Sequence, residues 1–317
     1  MKYFAYALSM GAILALTACG GGGGGAAPAA PLASVPLTTT NYDATGRASA
    51  ATLVDVQSST SIESLTSVAS ADSAPAQNSL SVFQIGRMIA GLGSATLAGR
   101  ETPAASSTVN RACSFGGTLS ATGNDANDNQ RLDAGDSLTA NFSGCVMESG
   151  TPALSGGLDI TVNGATYSGS TLTALSITAT FRSLSSGGST LTGAADLTVN
   201  ASAGSVAFHD TSSVRGGKTT VYNFTASVTT SGAQNVLAVS GPITIAGAGY
   251  TLSTPTPIVM GTVYPASGLL RVADSAGGRV DIVIRPADFD LDLYLPGDAL
   301  RDAHATYTWA ALASGSI

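Results

Sequence analysis

From Ala112 onward the chain alternates apolar and polar residues with a period of two, and glycine- and serine-rich breaks cut off each run. GLDITVNG (157–164) sets Leu158, Ile160 and Val162 between polar neighbours. LSITATF (175–181), ADLTVNA (195–201), VYNFTASVTT (221–230), NVLAVSG (235–241) and RVDIVIR (279–285) repeat the pattern. Successive side chains on a strand point to opposite faces, so these runs read as strands buried on one face. The intervening SGS, SSGG, SGAQ, AGAG and SAGG are turn signals. Roughly ten to thirteen strands at about 8–15 residue spacing predict an all-β fold, a large antiparallel meander. One sheet of that size curls or closes toward a barrel.

A short motif recurs within the alternation. Leu154-Ser155-Gly156 precedes Leu158, Ile160 and Val162; Leu191-Thr192-Gly193 precedes Leu197 and Val199; Val239-Ser240-Gly241 precedes Ile243 and Ile245. The spacing is irregular, so it reads as recurring hairpin chemistry and not as a repeat array. Composition agrees with exposed strand faces. Charged residues make up only 10%, against about 25% in an ordinary soluble domain, and Ser, Thr, Gly and Ala take their place.

The N-terminal residues constrain location. MKYFAYALSMGAILALTAC (1–19) has a basic start and an apolar stretch shorter than a membrane span, then Leu16-Thr17-Ala18-Cys19. That ending looks like a lipobox. The resemblance implies cleavage before Cys19, a thioether-linked diacylglycerol on its sulfur and a further acyl chain on the new amine. Several chains anchor stably where one is marginal. The competing reading is an ordinary signal peptide with an incidental cysteine. Gly20 to Gly25 follow as a leash that cannot help a fold. Gly20 in place of Asp points to the outer membrane over the inner one.

The division expected is a signal peptide over 1–18, a lipidated and disordered tether over 19–76, a short helix (79–90, SLSVFQIGRMIA) with linker over 77–110, and the β domain over 111–317. The net charge of −7, with Lys218 the only lysine beyond the signal, argues against nucleic acid as a partner. Of three cysteines, Cys19 has a separate fate, which leaves Cys113 and Cys145 to pair in an oxidising compartment.

Residues 125–136 (DANDNQRLDAGD) resemble the calcium loop of EF-hands and dockerins. Positions 1, 3, 5, 9 and 12 hold Asp125, Asn127, Asn129, Asp133 and Asp136; Arg131 at position 7 offers its backbone carbonyl, and Leu132 is the apolar eighth residue. Calcium takes six to eight hard oxygen ligands, and alternate residues on a tight turn supply them. Gln130 replaces the usual glycine, at a cost of about 1–2 kcal/mol if left-handed. Asp136 reaches less far than Glu, so the affinity expected is weak, about 0.1–1 mM. The competing reading is a solvated Asn/Asp-rich hairpin tip.

The flanking strands expected are 114–122 and 136–143, with Cys113 opposite Cys145 and residue 122 opposite 136. That register puts Phe115 and Leu119 on one face and Leu138 and Phe142 on the other, a conflict that a bulge at Ser143-Gly144 would repair. A disulfide closing this loop contributes roughly 3–4 kcal/mol.

Asp288, Asp290 and Asp292 in DFDLDLY share one strand face. Pairing with Arg279 or Arg285, or solvation, is expected to relieve their repulsion; a second cation site with Asp298 is the alternative. Catalytic patterns are poor. His209-Asp210 lies near Ser212 and Ser213, but strand neighbours point to opposite faces. The chain has no G-x-S-x-G elbow, and its two histidines lack a zinc pattern. Glu148 is the only glutamate of the β region, which makes a glycosidase pair poor. Trp309 reads as a core residue more than as a sugar platform.

The whole arrangement resembles a group of uncharacterised Gram-negative lipoproteins. The residues that carry this are Cys19 with Gly20–Gly25, Cys113 to Cys145 with Gly135-Asp136, and Thr308-Trp309-Ala310-Ala311-Leu312 on a terminal strand. It implies an envelope lipoprotein and brings no activity. The function expected is a membrane-anchored, non-enzymatic binding or structural module with a calcium-stabilised hairpin, bound to an unknown protein or surface. The alternatives are a periplasmic carrier of an apolar ligand and an unrecognised hydrolase.

Overall fold

A computed structural model describes residues 34–57 and 106–314, apart from 130, 147–152, 170, 187, 201–202, 232–233, 262–263 and 298. The described residues lie in one unit, Leu32–Ile317. Its elements are helix α1 (Tyr42–Gln57), strands β1 (Ser106–Ala112), β2 (Thr118–Asn124), β3 (Ser137–Cys145), β4 (Leu154–Ser168), β5 (Thr171–Ser186), β6 (Ser189–Asn200), β7 (Ala203–Arg215), β8 (Lys218–Tyr222), β9 (Thr225–Ser231), β10 (Gln234–Ile245), β11 (Ala248–Met260), β12 (Pro265–Ala273), β13 (Arg279–Ile284), β14 (Asp288–Tyr294), β15 (Ala303–Thr308), and helix α2 (Trp309–Ser314).

All fifteen strands form one antiparallel sheet in chain order, which bears out the all-β meander. The one departure is that β8 and β9 both lie between β7 and β10, as one rung broken at Asn223-Phe224. Phe224 turns into the core there, where it meets Phe208 edge-on and Tyr222 at a tilt. The alternation sets the inner face: Leu158, Ile160 and Val162 on β4, Ile177, Ala179 and Phe181 on β5, and Leu197 and Val199 on β6 are all buried in one continuous apolar cluster. The interior of the sheet is thus filled by its own side chains.

The recurring glycine motif has a structural meaning that hairpin chemistry alone misses. Gly156 (φ +105°) and Gly193 (φ +107°) each stand beside an extra residue on the next strand, Ser183 (φ +49°) and Asp210 (φ +49°). A Cβ on Gly156 would lie 2.3 Å from the Ser183 carbonyl oxygen, and one on Gly193 would lie 2.6 Å from that of Asp210. Gly241 faces Phe224 and Gly268 faces Ile258 at the same close range. At Gly156, Gly193 and Gly268 the register shifts by one residue, a β-bulge capped by a glycine, whereas Gly241 stands at the break between β8 and β9 with the register of β10 against them unchanged. Bulges bend and twist a sheet. On β5 the extra residue also moves the inward positions from Phe181 to Leu184, which ends the simple alternation.

The N-terminal boundary differs from expectation. Within the stretch read as tether, residues 42–57 form α1, which packs on β12 to β14. Its buried side is small: Thr45, Ser49, Ala50 and Thr52, with Leu53 the large exception. Ser49 and Thr52 donate their hydroxyls back to the Thr45 and Ser49 carbonyls, which meets both groups within the helix. A helix of such residues resembles a polar linker in composition, which is why its periodicity is weak. Gly46 sits so close to Leu291 that a Cβ would come within 2.8 Å of it. The helix expected over 79–90 lies outside the described residues. Trp309, expected on a terminal strand, instead opens α2, fully buried, with its indole N–H donating to the Arg285 carbonyl at 2.9 Å. No helix among the described residues is long and apolar enough to cross a membrane.

Candidate functional site

The loop between β2 and β3 is the most organised polar feature among the described residues. Asp125 and Asp136, its first and last residues, are 2% and 1% exposed. Asp136 ties the ends together: one carboxylate oxygen accepts the Ala126 N–H at 2.9 Å and the other accepts the Asp133 N–H at 2.8 Å. Asn127 and Asn129 use their side-chain oxygens to accept the N–H two residues on, at 3.2 and 2.8 Å. Such turns explain the residue types without any ligand. The amide nitrogens of Asn127 and Asn129 both donate to one oxygen of Asp133, at 2.8 and 2.5 Å. The other Asp133 oxygen is buried with no hydrogen-bond partner.

The six expected positions therefore divide. Asn127, Asn129, Asp133 and Asp136 are drawn together by these bonds, and Asp125 joins them by accepting the Asn129 N–H at 3.3 Å. Arg131 has a second role that the motif did not foretell. Its guanidinium lies 4.1 Å from the centre of the Tyr167 ring and donates to the Gly169 carbonyl at 2.9 Å. Tyr167 in turn donates its hydroxyl to the Leu132 carbonyl at 3.0 Å, so the end of β4 holds the loop from outside. Asp128, at position 4, is left-handed (φ +59°); Gln130, where the sharp turn of position 6 is expected, lies outside the described residues. Among the described residues no group of three or more His, Cys, Asp or Glu side chains is placed to hold a metal ion.

Cys113 and Cys145 are joined, as expected, with Cα atoms 5.4 Å apart. The register around them is corrected. β2 starts at Thr118, not 114, and Leu119 lies opposite Phe142, with Thr122 opposite Thr139. Residues 113–117 form a turn through Gly116 and Gly117, which takes up the offset. Leu119 and Phe142 therefore share the inner face, and Phe115 is left 58% exposed. The bulge at Ser143-Gly144 is present, but against β4.

The second acidic cluster lies on the outer face of β12 to β15. A single cross-strand row reads Arg271, Asp281, Asp292, His304. Arg271 grips Asp281 with two bonds of 2.7 and 2.9 Å. Asp292 accepts from Arg301 at 3.0 Å and meets His304 Nδ1 at 2.7 Å. One row along, Arg285 pairs with Asp288 and Asp290, and Thr306 donates to Asp290 at 2.8 Å. The expected Arg285 pairing is present, whereas Arg279 serves Asp281 and Tyr294. Asp281, Arg271 and Arg301 were missed because only register brings them together. Asp298 is outside the described residues. Burial raises the Asp290 carboxyl, but Arg285, Thr306 and His304 outweigh it and the net position is below the ordinary range.

His304 Nε2 also lies 3.3 Å from the Thr306 hydroxyl, the order acid, imidazole, hydroxyl of a nucleophilic triad. The Thr306 hydrogen, however, is given to Asp290. His209 meets Asp196 at 3.0 Å, and Ser213 points into the core on the opposite face. Comparison with protein-family models, curated proteins and solved structures finds no match to this chain.

Proposed function

We propose that this chain is a lipid-anchored envelope protein of the outer membrane whose β domain is a non-enzymatic binding or structural module, with its 125–136 hairpin stabilised by calcium. The lipobox and glycine leash carry the anchor, and the Cys113–Cys145 disulfide supports export, because such bonds persist in oxidising compartments. The filled sheet interior supports a module over a carrier with a large lumen.

The observation that carries calcium is the buried, unpartnered Asp133 oxygen beside Asn127 and Asn129. A half-turn of either amide puts oxygen in place of nitrogen, which leaves Asp133 with less donation and a cation with more ligands. Asp125, Asp133 and Asp136 would supply charge, and Arg131 its carbonyl. Because Tyr167 and Asp136 already hold the loop, the ion adds stability and is not needed for folding.

Thermal unfolding tests this. With a dissociation constant of about 0.1–1 mM, roughly 10 mM calcium adds about 1–3 kcal/mol, or about 3–8 °C in a domain of this size. Asp133→Asn abolishes the gain, and equal magnesium gives little of it. An identical melting temperature in calcium and in chelator sinks the calcium reading and leaves the anchor untouched.

A further inference from the structure

We propose that the pocket at the β1–β3 corner binds a small amphiphile, an alkyl chain ending in a carboxylate, with the head on Arg111 and the tail against Leu119 and Phe142. The inference is independent of the lipid anchor and of calcium.

The first observation is the pocket itself. It has a volume of about 460 Å³, and Arg111, Ala112, Thr118, Leu119, Asn141 and Phe142 contribute to its lining. That volume falls within the range of small-ligand sites, which combine an apolar lining with a few placed polar groups. The second is register. Arg111 lies opposite Leu119, and Leu119 opposite Phe142, so the cation and two large apolar side chains form one row on one face. At roughly 4.8 Å between strands the row spans about 10 Å. A head on Arg111 would lay its chain across both apolar residues.

The third is the state of Arg111. Every other arginine among the described residues has a hydrogen-bonding or ionic partner: Arg47 with Asp43, Arg131 with Gly169, Arg182 with Asp159, Arg215 with Ser189, and Arg271, Arg279, Arg285 and Arg301 with aspartates of the outer-face cluster. Arg111 makes no ion pair with a described residue, and it is the only charge on β1, β2 and β3. In a chain of net charge −7, an unpaired guanidinium at an apolar pocket selects a single anionic group. A carboxylate matches its fork in two parallel bonds. One cation suits a monoanion, and the uncharged walls suit an alkyl chain.

The test uses the full chain carrying Cys19→Ser, so that no lipid is attached, and calorimetric titration with decanoate, decanol and decylamine below their micelle concentrations. Decanoate is expected to bind one-to-one, and decanol at least about tenfold more weakly. Arg111→Gln should bring decanoate down to the level of decanol and leave decanol unchanged. Because Arg111 is exposed and unpaired, the variant should melt with the wild type, which separates lost binding from lost folding. Decanoate binding that is unaffected by Arg111→Gln, equal binding of all three amphiphiles, or no saturable binding would each overturn the proposal.

Discussion

The phenolic hydroxyl of Tyr307 donates a 2.5 Å hydrogen bond to the carboxylate of Asp43, joining the last strand to α1 across 264 residues of sequence. Arg47 completes the contact, pairing with the other Asp43 oxygen at 2.9 Å and lying 5.5 Å from the Tyr307 ring centre. At the start of the segment, buried Asp274 accepts the Leu37 N–H at 2.6 Å. These two ties position a helix whose small side chains bury little apolar area.

Tyr307→Phe should therefore cost about 1–2 kcal/mol, since it leaves Asp43 short of one donor. The same bond to Asp43, with burial, holds the Tyr307 phenol above its ordinary value. A raised folded value means that the stabilisation is complete below the unfolded tyrosine range, about 10, and is lost as pH rises through the folded value. Ultraviolet titration should show a late-ionising tyrosine that Tyr307→Phe removes. An unchanged titration would contradict the assignment.

Gly193→Ala should destabilise by about 2–3 kcal/mol, combining a left-handed backbone with a clash against the Asp210 carbonyl. Gly247→Ala is the control. Gly247 has φ +82° but open space around a Cβ, so only the backbone cost of about 1 kcal/mol applies. Urea unfolding of both variants checks the difference. Equal costs would mean that the bulge does not confine Gly193.

The period-two pattern made most strands legible because their inner faces are mainly apolar, from Leu158 on β4 to Leu293 on β14, with Thr211 and Ser213 on β7 among the buried exceptions. The glycine motif was visible too, but not its purpose, since the bulged partners Ser183 and Asp210 lie on other strands. α1 escaped because Ser49 and Thr52 satisfy their hydroxyls within the helix, and so sit buried where pattern reading expects solvent. The disulfide followed from cysteine arithmetic, whereas its register depended on a turn at Gly116-Gly117 with no strand signature. In the loop, ligand-type residues were plain from spacing. The clamp from Tyr167 onto Arg131 and Leu132 is a contact across 35 residues and leaves no local trace.

Asp290 sets a pH dependence. Its folded carboxyl lies below the ordinary range, so the unfolded chain holds its proton more tightly. The stability it contributes is present above the unfolded value, near 3.8, and is lost as pH falls through the folded value. Asp290→Asn should cost about 1–2 kcal/mol at neutral pH and flatten the acid limb of the stability curve. Urea midpoints from pH 6 down to 2 measure this. A steeper acid limb in the variant would contradict it.

Tyr167 reports on the loop. Burial, the first cause, and the nearby Asp133 charge raise its phenol, while the Arg131 charge pulls it down. A calcium ion at Asp133 offsets that negative charge, so the Tyr167 midpoint should move down on adding calcium and stay put on adding magnesium. Difference absorbance with a Tyr167→Phe control identifies the signal. A midpoint indifferent to calcium would place no ion beside Asp133.

The proposed lipid anchor would set the compartment of every later feature, and mass spectrometry of the mature chain from its native host is the test of it. The expected N-terminal peptide begins at Cys19, with a diacylglycerol on sulfur and an acyl chain on the amine. A chain retaining Met1, or a free thiol at position 19, would contradict it.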